Sequence, residues 1–488
     1  MPINKSKIVR FALDRTSIIT IIQFHIIIGL IIYINDEQSY FQPNLAIYPV
    51  CCGLLGLIIW SFWSWYIVAK NLFDPYILFL IATCLFNAGQ AVLEIFNLNK
   101  DGFLNDRFSS ELLLETLFIV MLSLAALHLG ALLSFGGAKT TTSPSDSETK
   151  SIFYNDKATY WVGLSLLAIS FFPTLLHMKN YISIVISSGY AGLYQTETPT
   201  GLAAAARILS IFIIPASLFL LAGSQKRFYG KILALGAIAT HVTFYFFLGL
   251  RNAAIIPLIN FAWLWHYKIA RLPMLILLSV GLFVMAIVSP IIAMTRNITG
   301  QDRFSIDFLI DMFSTMENPL VTFISEAGFS MSTIAYTMYL VPSSINFHNG
   351  SDYLYALLTL MPNLFWKIHP TVAHGTPTSW LVQQINPWAA DRGFSYGFSF
   401  IAEAYLNFGW FGTPIVVGLI GFLLGKLRLW AVSSKEPQRM AMLASFISFF
   451  LFYARADSAL QIRPLVWFSL LPYLCVQIIL SKYNTSSK

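Results

Sequence analysis

One turn between two apolar stretches places an arginine where a helix is expected to begin. Gly249 and Arg251 lie in this turn, and almost no loop separates the two stretches. The N-terminus of a helix presents unpaired backbone N–H groups and the positive end of its dipole. A guanidinium beside them would add hydrogen bonds to phosphate oxygens. The turn therefore predicts phosphate binding, with an arginine that reaches toward lipid headgroups as the structural alternative.

A carboxylate in an apolar stretch is the next candidate. Ser399, Glu403 and Asn407 recur every four residues, so they are expected to share one face of a helix. An ionisable group within a membrane-spanning helix is a functional candidate because burying its charge is costly. Glu403 is therefore a candidate for proton transfer, and an ion pair with an arginine from another helix is the structural alternative. Asn407 and Tyr396 are predicted to belong to the same site.

Two further candidates lie in a long polar and aromatic stretch at 294–396. His374 carries an imidazole, which suits general-base catalysis near neutral pH, although a lone loop histidine is more often incidental. Glu326 is a third candidate for catalysis, and it is expected to pair with an arginine. His369 and His374 lack a third ligand in the sequence pattern, so we predict no bound metal.

Several arginines are expected at the same membrane face as Arg251. Excess positive charge at that face calls for an anionic partner, although lipid headgroups alone could provide one. We predict that these arginines help Arg251 to bind a phosphate-containing group. They are Arg296, Arg303, Arg392, Arg455 and Arg463.

The elements that must position these residues are membrane-spanning helices. Of the 488 residues, 57% are hydrophobic and 11% are charged, and the mean hydropathy is +0.68. A soluble domain has about 25% charged residues, so the composition indicates an integral membrane protein. The four cysteines lie in apolar stretches, and no disulfide is expected. We predict twelve spans, at 16–34, 45–69, 75–96, 112–135, 158–177, 202–222, 230–250, 252–267, 272–293, 397–424, 439–455 and 463–481.

The connections between the spans differ in charge. Lysine and arginine are more frequent on the side that holds both termini, which the positive-inside rule places in the cytoplasm. The low-complexity segment 136–157 is then a flexible cytoplasmic linker, and 294–396 is one large extracytoplasmic loop with short helices. The net charge of +7 is accounted for by this topology, so we predict no nucleic-acid partner. Residues 1–488 are predicted to form a single polytopic membrane domain.

Four local patterns make the chain resemble the bacterial O-antigen polymerases, the Wzy-type oligosaccharide repeat unit polymerases. The most specific pattern is the run around Glu403, and the first half of the chain is similar only in its number of spans. The four patterns are the Gly249-Leu-Arg251 turn, the Ser325-Glu326-Ala-Gly segment followed by Pro342, the run Gly397-Phe-Ser-Phe-Ile-Ala-Glu403-Ala-Tyr-Leu-Asn407-Phe-Gly-Trp-Phe-Gly412, and Arg455 with Arg463.

The resemblance implies an all-α, polytopic protein of the bacterial inner membrane with a GT-C-like membrane glycosyltransferase architecture. Such proteins join undecaprenyl-pyrophosphate-linked oligosaccharide repeat units at the periplasmic face, release undecaprenyl pyrophosphate, and need neither metal nor nucleotide. A chain-length regulator protein is the expected partner, beside membrane lipid. The alternatives are an O-antigen ligase, which differs only in its acceptor, and a lipid-linked oligosaccharide flippase, which would carry its charges at mid-membrane.

This chemistry suggests roles for the residues identified above. A sugar–pyrophosphate bond has a good leaving group, so the protein must neutralise departing negative charge and deprotonate an acceptor hydroxyl. We assign the pyrophosphate to Arg251 and the adjacent helix N-terminus, with Arg296 or Arg455 assisting. The base is either Glu403 or His374, and the sequence leaves these two open.

Overall fold

The structure is a computed structural model, and it describes residues 14–36, 42–136, 146–195, 201–296, 298, 305–315, 318–361 and 366–486. Twenty-two α-helices lie within these ranges, and the ranges contain no strand. The predicted all-α fold class is confirmed. Arg303 lies outside the described residues.

Eleven helices precede the long loop. They are α1 (Arg15–Ile34), α2 (Pro43–Ala69), α3 (Pro75–Ile95), α4 (Ser110–Leu133), α5 (Asp146–Gln195), α6 (Gly201–Ile211), α7 (Ile213–Ala222), α8 (Phe228–Leu248), α9 (Arg251–Lys268), α10 (Met274–Phe283) and α11 (Ser289–Thr295). Seven short helices follow: α12 (Ile306–Thr315), α13 (Pro319–Gly328), α14 (Met331–Leu340), α15 (Ser351–Leu358), α16 (Pro370–His374), α17 (Pro377–Ile385) and α18 (Pro387–Asp391). The last four are α19 (Phe400–Ser434), α20 (Pro437–Phe450), α21 (Ser458–Leu465) and α22 (Leu471–Ser486).

Ten helical segments of the described chain are long and apolar enough to cross a membrane. They correspond to ten of the twelve predicted spans, and the prediction of a polytopic membrane protein is confirmed. The other two predictions, 252–267 and 439–455, fall on helices that do not meet this criterion. The first falls on α9, which is too polar along its 18 residues, and the second falls on α20, which has only 14 residues.

The helix α4 lies at the centre of the bundle, since 89% of the residues in its most apolar 18-residue stretch are buried. The helix α19 packs along it. A Cβ atom at Gly130 would lie 1.9 Å from the carbonyl oxygen of Gly418. A Cβ atom at Gly421 would lie 2.1 Å from the carbonyl oxygen of Leu127. Glycine at these two positions therefore allows the close approach of α4 and α19. This packing fixes α19, which carries Glu403 and Asn407.

Part of the long loop packs inside the bundle. In α14, seven of the ten residues are buried, and the helix contacts α4 and α19. The preceding helix α13 packs against α3 and against the segment Val284–Val288 that joins α10 to α11. The loop therefore brings polar residues of α13 next to the ends of the spanning helices.

The segment 136–157 differs in part from the predicted linker. The helix α5 begins at Asp146, so 146–157 is helical and not irregular, whereas 137–145 lies outside the described residues. A spanning helix can extend past the membrane because Ser, Glu and Lys reduce helix stability only slightly. The low-complexity composition concealed this extension.

Candidate active site

Arg251 is the first residue of α9, as the turn predicted. Gly249 precedes it with φ 86°, in the left-handed region, and ends α8. The Arg251 guanidinium donates from Nη2 to Glu326 Oε2 at 2.8 Å and from Nη1 to the Ser289 carbonyl oxygen at 3.1 Å. The expected pairing of Glu326 with an arginine is therefore present in the structure. The Glu326 side chain is 42% exposed, whereas that of Arg251 is 14% exposed.

Arg296 lies on the other side of the Gly249 turn. A Cβ atom at Gly249 would lie 2.7 Å from Arg296 Cβ, so the turn has no room for a larger residue. The Tyr190 backbone N–H donates to the Arg296 carbonyl oxygen at 3.2 Å. The Arg296 guanidinium lies 4.8 Å from the centre of the Tyr190 ring, within cation–π distance.

Arg455 is the third arginine of this group. It ends the short helical turn Leu451–Arg455, and its carbonyl oxygen accepts from Phe398 N at 3.3 Å. Its guanidinium lies within electrostatic range of Arg251, Arg296, Tyr190 and Glu326. We call Arg251, Arg296 and Arg455 the arginine cluster. Among the described residues, three guanidiniums beside the one carboxylate of Glu326 leave a net positive charge, which suits a multivalent anion.

The contacts of the other two described arginine candidates lie elsewhere. The Arg392 guanidinium stacks 3.9 Å from the Trp388 ring centre and donates to the Trp388 carbonyl oxygen at 3.1 Å. Arg463 donates from Nε to the Thr359 carbonyl oxygen, beside α15. The structure therefore brings together three of the arginines predicted for one site, whereas the hydrogen bonds of Arg392 and Arg463 are made to Trp388 and Thr359.

A second group of polar side chains gathers around Asp352. His348 Nδ1 lies 2.8 Å from Asp352 Oδ2, and His374 Nε2 lies 3.1 Å from Asp352 Oδ1. Asn407 Nδ2 donates to Asp352 Oδ2 at 2.9 Å. We call these four residues the Asp352 cluster. Their side chains differ in access, since that of Asp352 is 1% exposed, that of His348 is 19% and that of His374 is 24%.

The hydrogen bonds of this cluster favour the ionised form of Asp352. Burial raises the pKa of the Asp352 carboxyl, but the hydrogen bonds from His348, His374 and Asn407 lower it, and its pKa lies below the ordinary value. A carboxylate held in this way orients each imidazole, as in catalytic His–Asp pairs. His374 is also stacked on Tyr355, with the ring centres 3.9 Å apart.

Residues of the helix α19 hold the Asp352 cluster in place through hydrogen bonds. Asn407 Oδ1 accepts from the Gly350 N–H at 2.9 Å, and the Leu406 carbonyl oxygen accepts from the His348 N–H at 3.0 Å. Asn407 therefore holds both the start of α15 and the carboxylate of Asp352. The spacing of Glu403 and Asn407 in the sequence could not identify these partners of Asn407.

Glu403 is enclosed by a different set of partners. Its side chain is fully buried, and it accepts from Ser458 N at 2.9 Å, from the Ser458 hydroxyl, and from Tyr453 Oη at 3.0 Å. No arginine pairs with it among the described residues, so they do not show the ion pair that was the structural alternative. Its carboxylate instead caps the N-terminus of α21, a position that favours acceptors. In this geometry the carboxylate does not reach an external hydroxyl, which favours His374 over Glu403 as the base.

The segment 455–458 connects the two clusters. Arg455 belongs to the arginine cluster, and Ser458 holds Glu403, one helical turn before Asn407. Asp457 Oδ2 accepts from the Thr378 N–H at 3.0 Å, four residues after His374. The Tyr396 hydroxyl accepts from Asn386 Nδ2 at 3.4 Å.

The Asp352 cluster also has the composition of a metal site. One ligand atom from each of His348, Asp352 and His374 lies within 4.8 Å of the others, and two histidines with a carboxylate can bind Zn²⁺. The sequence pattern pointed to His369 and His374, whereas His348 and Asp352 were not among the predicted ligands. Their four-residue spacing was the available signal. That the protein needs no metal stays a prediction.

The comparison with known families agrees with this architecture. The sequence model of the O-antigen polysaccharide polymerase Wzy family matches residues 17–487, which is nearly the whole chain. No curated protein and no solved structure matches the chain, and the GT-C-like architecture therefore stays a prediction. The family match and the ten apolar helices together indicate a multi-pass protein of the bacterial inner membrane. The chain belongs to the O-antigen polysaccharide polymerase Wzy family, and it is accordingly a polysaccharide polymerase.

Proposed function

We propose that this polymerase transfers a glycan from undecaprenyl pyrophosphate to the non-reducing sugar of another lipid-linked repeat unit, at the periplasmic face. The bond between the anomeric carbon and the pyrophosphate oxygen breaks, and a bond forms between that carbon and the acceptor oxygen. The acceptor hydroxyl loses its proton, and undecaprenyl pyrophosphate leaves with the negative charge. The observation that carries the proposal is the arginine cluster beside the N-terminus of α9.

The arginine cluster is suited to the departing pyrophosphate. Arg251, Arg296 and Arg455 supply three positive charges, and the first turn of α9 adds unpaired backbone N–H groups. The Glu326 carboxylate pairs with Arg251 in the way that a phosphate oxygen would. Because the Glu326 side chain is 42% exposed, it can turn toward solvent when pyrophosphate arrives. Interactions that strengthen as charge develops on the leaving group lower the barrier to transfer.

His374 is suited to accept the proton of the acceptor hydroxyl. When Nε2–H donates to Asp352, the neutral ring carries its lone pair on Nδ1, which is the atom that can act as base. Asp352 then stabilises the imidazolium that forms. His348 contacts the other oxygen of the same carboxylate and helps to hold it in place. For Glu403, the other candidate base, we propose a positioning role.

Purified protein and a synthetic lipid-linked repeat unit, without nucleotide or added metal, provide the test. The expected product is a ladder spaced by one repeat unit. Arg251→Ala should lower the rate of polymerisation by about 10²–10³, since it removes a donor to developing negative charge. The matched control is Arg107→Ala, because Arg107 lies against the Phe329 ring and outside both clusters. Equal rates for the two variants would contradict the assignment, and transfer only to an added lipid A core acceptor would indicate a ligase.

A further inference from the structure

A cavity of about 620 Å³ lies at the opposite end of α9 from the arginine cluster. Arg251 begins α9 and Lys268 ends it, and its 18 residues extend about 27 Å. The end of α9, the turn after it, and the loops after α2 and α7 line the cavity. It is therefore separate from the proposed active site. Its volume falls in the range of about 300–1,000 Å³ that is usual for small-ligand sites.

The cavity is positively charged. Lys70, Lys268 and Arg271 line it, and none of its lining residues is Asp or Glu. Lys268 Nζ donates to the Lys435 carbonyl oxygen at 3.0 Å, which holds its ammonium in place. Asp156 lies within electrostatic range of Lys268 but does not line the cavity. Within the described ranges, neither Lys70 nor Arg271 forms an ion pair, so their charges are available to a ligand.

Two neutral side chains in the lining can donate hydrogen bonds. His266 Nδ1 accepts from the Leu272 N–H at 2.9 Å, so the neutral imidazole carries its hydrogen on Nε2. The Tyr267 hydroxyl oxygen accepts from Asn71 Nδ2, which leaves the phenol hydrogen to donate. Cationic groups and hydrogen-bond donors in one cavity match the oxygens of a phosphate group.

The surface beside the cavity indicates where such a phosphate would come from. The helix α10 begins three residues after Arg271, and none of its residues is buried. Leu275 is 76% exposed and Leu278 is 60% exposed, as side chains that face lipid would be. Acyl chains can therefore lie along α10 while the headgroup enters the cavity. We propose that this cavity binds the phosphate of an anionic phospholipid from the adjacent leaflet.

General membrane topology explains only part of this arrangement. Positive residues collect at one membrane face, and they also favour the C-termini of helices. Neither rule requires that Lys70, Lys268 and Arg271 share one cavity with two hydrogen-bond donors. A basic pocket between spanning helices is instead the kind of site that binds acidic headgroups.

Native mass spectrometry of the full chain in detergent tests this proposal. Phosphatidylglycerol is added in one arm, phosphatidylcholine in a second, and glycerol 3-phosphate competes with phosphatidylglycerol in a third. We expect retained phosphatidylglycerol adducts, and about 25-fold weaker binding in the double variant Lys70→Ala/Arg271→Ala, at about fivefold for each charge. The matched control is Lys157→Ala/Lys231→Ala, which removes two charges that do not line the cavity. Thermal unfolding of each variant confirms that it is folded.

Three outcomes would overturn the proposal. Equal retention of phosphatidylcholine would show that negative charge is not recognised. Equal weakening in the control pair would show that binding reflects the overall surface charge and not the cavity. Full competition by glycerol 3-phosphate would replace the lipid with a soluble phosphate compound. A charge-retaining variant, Lys70→Arg/Arg271→Lys, should bind phosphatidylglycerol within about threefold of the unmodified chain.

Discussion

Substitution of Glu403 distinguishes two possible roles for this residue, a positioning residue or the catalytic base. Its carboxylate accepts from Ser458 N at 2.9 Å, from Tyr453 Oη at 3.0 Å and from the Ser458 hydroxyl. In Glu403→Gln, the amide oxygen can take the place of Oε2 and still accept from Ser458 N and Tyr453 Oη, and the Ser458 hydroxyl can rotate to accept from the amide NH₂. The free energy of unfolding should fall by about 1 kcal/mol. In Glu403→Ala, the Ser458 N–H loses its acceptor and a buried void forms, which should cost about 3–5 kcal/mol.

The assay measures stability and turnover on the same preparations. Denaturant unfolding in detergent gives the stability, and the ladder assay gives the rate for each folded molecule. Loss of a general base lowers the rate by about 10²–10⁴, whereas Glu403→Gln should change it by less than about fivefold. His374→Gln is the matched comparison, with the opposite expectation of near-normal stability and a loss of about 10²–10⁴ in rate. A Glu403→Gln protein with normal unfolding and a hundredfold slower reaction would refute the reasoning and restore Glu403 as the base.

Three other predictions follow from the two clusters. Asp352→Asn should lower the polymerisation rate by about 10²–10⁴ because His374 loses the acceptor that sets its tautomer. Folding lowers the pKa of Asp352, so its carboxylate should stabilise the fold above about pH 4, and this contribution should be lost as the pH falls below that value. Unfolding curves from pH 3 to 6 should show the loss for the native chain and not for Asp352→Asn. Gly249→Ala should destabilise the turn by about 1–2 kcal/mol and displace Arg296, because Gly249 has φ 86°; unchanged substrate affinity would contradict this. Micromolar Zn²⁺ should inhibit the enzyme by occupying His348, Asp352 and His374, chelator should reverse the inhibition, and His348→Ala should be about tenfold less sensitive.

The membrane class and most of the helices were predictable because they depend on local properties of the chain. Apolar stretches long enough to cross a bilayer can be identified without knowing what they contact. At 252–267 and 439–455 the predicted spans fall on helices outside the ten long apolar segments, because α9 is polar and α20 has only 14 residues. The helical start at Arg251 was also predictable, because Gly249 ends one helix and the next follows at once.

The sequence by itself determined which residue types share a helix face and which segments carry charge. It placed Glu403 and Asn407 on one face of α19, and it suggested that Glu326 pairs with an arginine. Only the tertiary structure decided what those side chains contact. Glu403 meets Ser458, 55 residues away, and Asn407 meets Asp352, which is also 55 residues away. Periodicity defines a direction from the helix axis, whereas the partner in that direction depends on how distant helices pack.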